Sequence, residues 1–134
     1  METMDTRTLA LTLGRSRAVV GIVLLLLPGL AGRLWLRPSA RGAGARFFCR
    51  LTGIRDLLLG VGSVIAVKEG RKGADWLAMG GVADVADAAA VLVSPGVRRS
   101  TRMAALAVAA FGAANLKVAQ MVADEASAAG EPAA

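Results

Sequence analysis

Thr52-Gly53-Ile54-Arg55-Asp56-Leu57-Leu58-Leu59-Gly60-Val61-Gly62 lies inside an apolar run from Phe47 to Val67, and Ala83-Asp84-Val85-Ala86-Asp87-Ala88 lies inside the next, from Ala74 to Val93. Each run has the roughly 20 residues that a helix rising about 1.5 Å per residue needs to cross about 30 Å of hydrocarbon. Charged side chains at such depth are rare and are kept where they pair with one another or act. The two stretches therefore predict helices buried in a bilayer and tied together by opposite charges.

Working outward, two further apolar runs, Ala18–Leu36 and Met103–Ala123, bring the expected spans to four. The connections are short and carry breakers and charges: Arg37-Pro38-Ser39 and Arg41-Gly42-Ala43-Gly44, then Lys68-Glu69-Gly70-Arg71-Lys72-Gly73, then Ser94-Pro95-Gly96 with Arg98, Arg99 and Arg102. Short connections make consecutive helices antiparallel neighbours. The expected fold is all-α, an integral membrane four-helix antiparallel bundle over residues 18–123. A polar N-terminal arm, 1–17, precedes it, and a disordered tail rich in Ala, Glu and Gly, 124–134, follows.

Composition agrees. Hydrophobic residues make up 55% of the 134-residue chain, with no Tyr, three Phe and two Trp, so a water-soluble core would have to be built almost wholly from Ala, Val and Leu. A lipid-embedded bundle has no such difficulty. The net charge of +6 is carried mainly by Arg scattered between apolar runs, a pattern that suits the lipid bilayer with its anionic lipid headgroups and not nucleic acid. Cys49 is the single cysteine and there is no His, so an intramolecular disulfide and the common zinc and thiol centres are excluded. Gly60-Val61-Gly62 lacks the third glycine of a dinucleotide loop, Lys68 has no Walker frame, and no nucleophile stands beside a base. No cofactor, metal or catalytic residue is expected.

Two segments admit a second reading. Arg15 and Arg17 followed by Ala18 to Leu27 match the charged and apolar regions of a signal peptide, with Gly29-Leu30-Ala31 as a candidate cleavage site. In a retained helix, Pro28-Gly29 introduces a kink, Arg33 snorkels and Trp35 sits at the interface. In the third segment, Asp84 and Asp87 each cost about 2.5–3.5 kcal/mol at a helix centre on an insertion scale. That segment has to enter with a neighbour that masks its carboxylates, or lie in the interface as an amphipathic helix.

Depth supplies the partner. Antiparallel neighbours put Arg55 roughly 12 Å in from one membrane face, with Asp87 about 9 Å and Asp84 about 13–14 Å from the same face. Asp84 and Asp87 are i and i+3, so one Arg55 guanidinium is expected to bridge both. Asp56 is turned about 100° from Arg55 and faces Arg50 or the fourth segment, while Asn115 closes the network by donating to a carboxylate. The network is either a structural lock that fixes the register of the bundle or a polar site for a proton, an ion or a headgroup. Arg46 and Arg50, i and i+4 at the start of the second segment, are candidate headgroup contacts. Gly53, Gly60, Gly62, Gly80, Gly81 and Gly112 are dense where helices would meet, as tight packing within the chain or between copies requires.

On the Gly53-Ile54-Arg55-Asp56 stretch with its following Gly60, and on Ala83-Asp84-Val85-Ala86-Asp87-Ala88, the chain resembles a family of small four-helix bacterial integral membrane proteins. That family carries Gly-x-Arg-Asp on helix two and Ala-Asp-x-x-Asp-Ala on helix three. The resemblance covers all four segments in length and order and implies the fold, without implying an activity. In architecture alone the chain is also similar to DoxX-like four-helix proteins, some of them tied to redox metabolism. The function expected is that of a structural or accessory protein, multi-pass in the inner membrane, forming a homo-oligomer or joining a larger membrane complex. The alternatives are a small-molecule, ion or proton carrier using Arg55, Asp84 and Asp87, and a membrane-embedded redox-associated protein. Lys and Arg in the short loops number six on each face, so their count does not orient the chain.

Overall fold

The computed structural model describes residues 5–30, 42–70 and 73–130. Its long elements are four helices, α1 (Thr6–Leu26), α2 (Ala43–Glu69), α3 (Gly73–Val93) and α4 (Arg99–Ala128), with no strand among the described residues. The second, third and fourth runs read from the sequence are thus helical, each extended beyond its apolar limits or matched to within a residue. The first is displaced. Its helix starts at Thr6, twelve residues before Ala18, so most of the expected polar arm is helix. The expected tail is likewise helical as far as Ala128. Arg33, Trp35, residues 37–41, Arg71 and Lys72 lie outside the described residues.

Local chemistry sets the ends. Leu27 precedes Pro28, whose ring disfavours the α conformation for the residue before it, and Leu27 adopts φ −122° and ψ 50° while its N–H still bonds the Val23 carbonyl at 2.8 Å. The helix is thus interrupted at Leu27, beside the Pro28-Gly29 step where the sequence predicts a kink. One further helical turn follows at residues 28–30. At the end of α2, Gly70 takes φ 68° and donates its N–H to the Ala66 carbonyl, the left-handed cap that only glycine adopts without strain.

The helices associate as two close pairs. In the first, Gly14 stands against Gly60 and Gly21 against Gly53, so α1 and α2 run in opposite directions past one another. The seven-residue spacing is the same on both helices and keeps one seam in contact over two turns. The approach is backbone to backbone: a methyl on Gly53 would lie 2.8 Å from the Gly21 carbonyl oxygen, and one on Gly60 2.7 Å from that of Gly14. In the second pair Gly81 of α3 meets Gly112 of α4 in the same manner. Small residues permit this close approach of backbones.

Between the pairs the contact is looser. Gly62 of α2 lies under the Trp76 ring of α3 near the connection, and Ala10, Leu77, Val118 and Ala119 form a small apolar core joining α1, α3 and α4. The interior also holds Leu24, Leu59, Ala66, Ala88 and Ala105, and it is unusual for the polar groups beside them. Thr6, Arg17, Asp56, Ser63, Asp84 and Asn115 are buried, whereas Val19, Ile22, Phe47, Phe48, Leu58, Ile65, Val82 and Met103 are exposed. A water-soluble protein hides its large apolar side chains, and an apolar patch of this extent marks a surface that meets something other than water. Three helices, α1, α3 and α4, are long and apolar enough to cross a membrane. The fourth, α2, has the length but carries Arg46, Arg50, Arg55, Asp56 and Lys68.

Candidate functional site

The buried charges converge at the middle of the helices, and the residue at their centre is Arg17. Its Nη1 donates to Asp84 Oδ1 at 3.1 Å and to Asp56 Oδ1 at 3.3 Å, while its Nη2 donates to Asp84 Oδ2. The Arg17–Asp84 contact is thus two-pronged, the geometry in which a planar guanidinium grips a carboxylate best. The guanidinium also lies 5.4 Å from the centroid of the Phe111 ring of α4, which adds a cation–π contact.

The sequence provides for this placement locally. Gly80 is one turn before Asp84 on α3, and a methyl there would stand 3.0 Å from Cζ of Arg17. The glycine leaves a slot on the α3 surface in which the guanidinium rests beside the carboxylate it pairs with. Along α1, the buried residues Thr6, Ala10, Gly14, Arg17, Gly21 and Leu24 recur every three or four positions and form one inward stripe.

A second arginine extends the network outward. Arg55 Nη1 donates to Asp87 Oδ2 at 2.6 Å, and its Nε and Nη2 donate to Asp56 Oδ1 at 3.3 and 3.1 Å. The result is a continuous alternation, Asp84, Arg17, Asp56, Arg55, Asp87, across three helices. Burial falls along it. The Arg17 and Asp84 side chains are 3% and 6% exposed, whereas those of Arg55 and Asp87 are 33% and 47% exposed.

Three expectations for the site are corrected by this geometry. Arg55 pairs with Asp87 but not with Asp84, because α1 brings Arg17 to Asp84 first and Gly80 makes room for it. Asp56 does not turn to Arg50 or to α4. It lies between the two arginines and is shared by both. Asn115 is buried at 1% exposure, and its amide donates at 2.9 Å to the Phe111 carbonyl one turn back on its own helix instead of to a carboxylate. Arg46 and Arg50 are exposed on α2, outside the network. The apolar run that marks the first span in the sequence begins only at Ala18, so apolarity alone does not point to Arg17.

A smaller polar closure ties the start of α1 to the ends of α2 and α4. Thr6 Oγ1 donates to Glu125 Oε1, and Arg7 reaches the Lys68 carbonyl at 3.5 Å. Among the described residues no group of three or more His, Cys, Asp or Glu side chains is placed to hold a metal ion. Comparison of the chain with protein-family models, with curated proteins and with solved structures returned no match.

Proposed function

We propose that this chain is a multi-pass membrane protein, an antiparallel four-helix bundle, and that it serves as a structural or accessory subunit whose ion network locks two helical hairpins into one register. The observation that carries this reading is the inversion of polarity: five ionisable groups from three helices meet at mid-helix, inside a surface of Val, Ile, Leu, Phe and Met. Lipid on the outside accounts for both halves of that pattern. Placement in a bacterial inner membrane rests on the resemblance of the two aspartate-bearing motifs and on nothing else. Retention of α1 is supported by its glycine seam with α2 and by Arg17, since cleavage at Ala31 would take both out of the bundle.

The locking role has a discriminating test. Arg17→Met alone strands Asp84 and is expected to leave little folded protein in the membrane fraction. Arg17→Met combined with Asp56→Asn and Asp84→Asn removes the charges together, leaves the Arg55–Asp87 pair, and is expected to restore the fold and the set of partners recovered in mild detergent. Loss of that partner set in a well-folded triple variant would count against a purely structural role. It would favour the carrier reading, for which the half-exposed Asp87 end of the network is the specific support.

A further inference from the structure

The network is not balanced in charge. Asp56, Asp84 and Asp87 supply three carboxylates and Arg17 and Arg55 two guanidiniums, so the fully ionised cluster carries one negative charge at the middle of the helices. Among the described residues no further charged group pairs with it: α1 brings Arg17, α2 brings Arg55 and Asp56, α3 brings Asp84 and Asp87, and α4 contributes the Phe111 ring. An uncompensated carboxylate in a weakly polar interior takes up a proton in preference to staying ionised. The hydrogen bonds leave a place for one. Among the described residues Asp56 receives three bonds and all end on Oδ1, so a proton adding to Oδ2 breaks none of them.

We propose that the three carboxylates together hold one exchangeable proton, which enters and leaves at the Asp87 end between α2 and α3. The step is simple: an O–H bond forms on a carboxylate oxygen, the proton comes from the medium, and no other bond is broken. In a set so closely coupled the proton belongs to the group and not to one residue. Exposure sets the route. Asp87 is the member about half exposed, and the path inward follows Arg55 and Asp56 to the buried Arg17–Asp84 pair. The inference rests on the membrane reading above, and its test separates the two.

The test uses the full chain in zwitterionic detergent, after the membrane fraction has been shown to contain it. Absence from that fraction would overturn the membrane reading itself. Infrared difference spectra are recorded from about pH 6 to about pH 10, where exposed carboxylates, which titrate near 4, stay ionised and silent. The expected result is a protonated-carboxyl band equal to one group per chain, lost toward alkaline pH. Asp87→Asn leaves two acids for two arginines and should abolish the band, and Asp56→Asn should do the same if the first variant fails to fold. Asp87→Glu should retain it, and Arg55→Gln should raise it to two groups. A spectrum without the band, or one unchanged in Asp87→Asn, would overturn the proposal. So would loss of the band at constant pH when sodium or potassium replaces choline, because the site would then take a metal cation in place of the proton.

Discussion

The two ends of the ion network use the same chemistry, an arginine against an aspartate, in opposite surroundings. At the inner end Arg17 and Asp84 are almost fully enclosed, gripped in two places and covered by the Phe111 ring. At the outer end Arg55 and Asp87 meet through one bond and are a third to a half exposed. The difference teaches that burial, and not the presence of a pair, sets what the pair is worth. An enclosed ion that loses its partner has no other source of stabilisation, whereas an open one can be solvated or protonated.

Substitutions at the two ends should separate accordingly. Arg17→Met is expected to have the largest effect, about 3–5 kcal/mol of lost stability, read as thermal unfolding in detergent by circular dichroism. Neutralising the inner end completely, with Arg17→Met, Asp56→Asn and Asp84→Asn together, should recover most of that loss, to within about 1 kcal/mol of the parent. If the triple variant is as unstable as the single one, an unpaired charge is not what the single change leaves behind. Arg55→Met should cost about 1 kcal/mol or less. Equal losses for Arg17→Met and Arg55→Met in the same assay would erase the contrast between the two ends. Asn115→Leu should have the smallest effect, on the order of 0.6 kcal/mol, since its amide bonds only its own helix.

The helical class and the mid-helix position of the charges were legible in the sequence because length, apolarity and spacing along a single helix are local properties. Arg55 and Asp87 could be matched by counting residues from a shared membrane face, and they do pair. Asp84 could not, because its partner is on α1, which reaches α3 through a long side chain and not through its backbone. The signal that finds that partner is the stripe Thr6, Ala10, Gly14, Arg17, Gly21, Leu24, whose spacing continues through the charges that precede the apolar run. Following that period backward would have placed Arg17 on the inward face. Asn115 shows a different limit: counting residues along the fourth segment brings it close to the level of the charges, but nothing along the chain distinguishes an amide that crosses to a neighbour from one that bonds the turn before it.

The ion network is also divided unequally between the two helix pairs. Arg17, Arg55 and Asp56 belong to α1 and α2, which are made first, and Asp84 and Asp87 belong to α3 and α4. A nascent chain that has delivered only its first two helices therefore holds one guanidinium without a counter-ion, and it stays so until the ribosome supplies the third. In the membrane placement proposed above, that unmatched cation distinguishes an unfinished molecule from a finished one, in a form that quality control can act on. A fragment ending at Gly70 should accordingly be degraded faster in cells than the same fragment carrying Arg17→Met, as a pulse-chase comparison of their lifetimes would register.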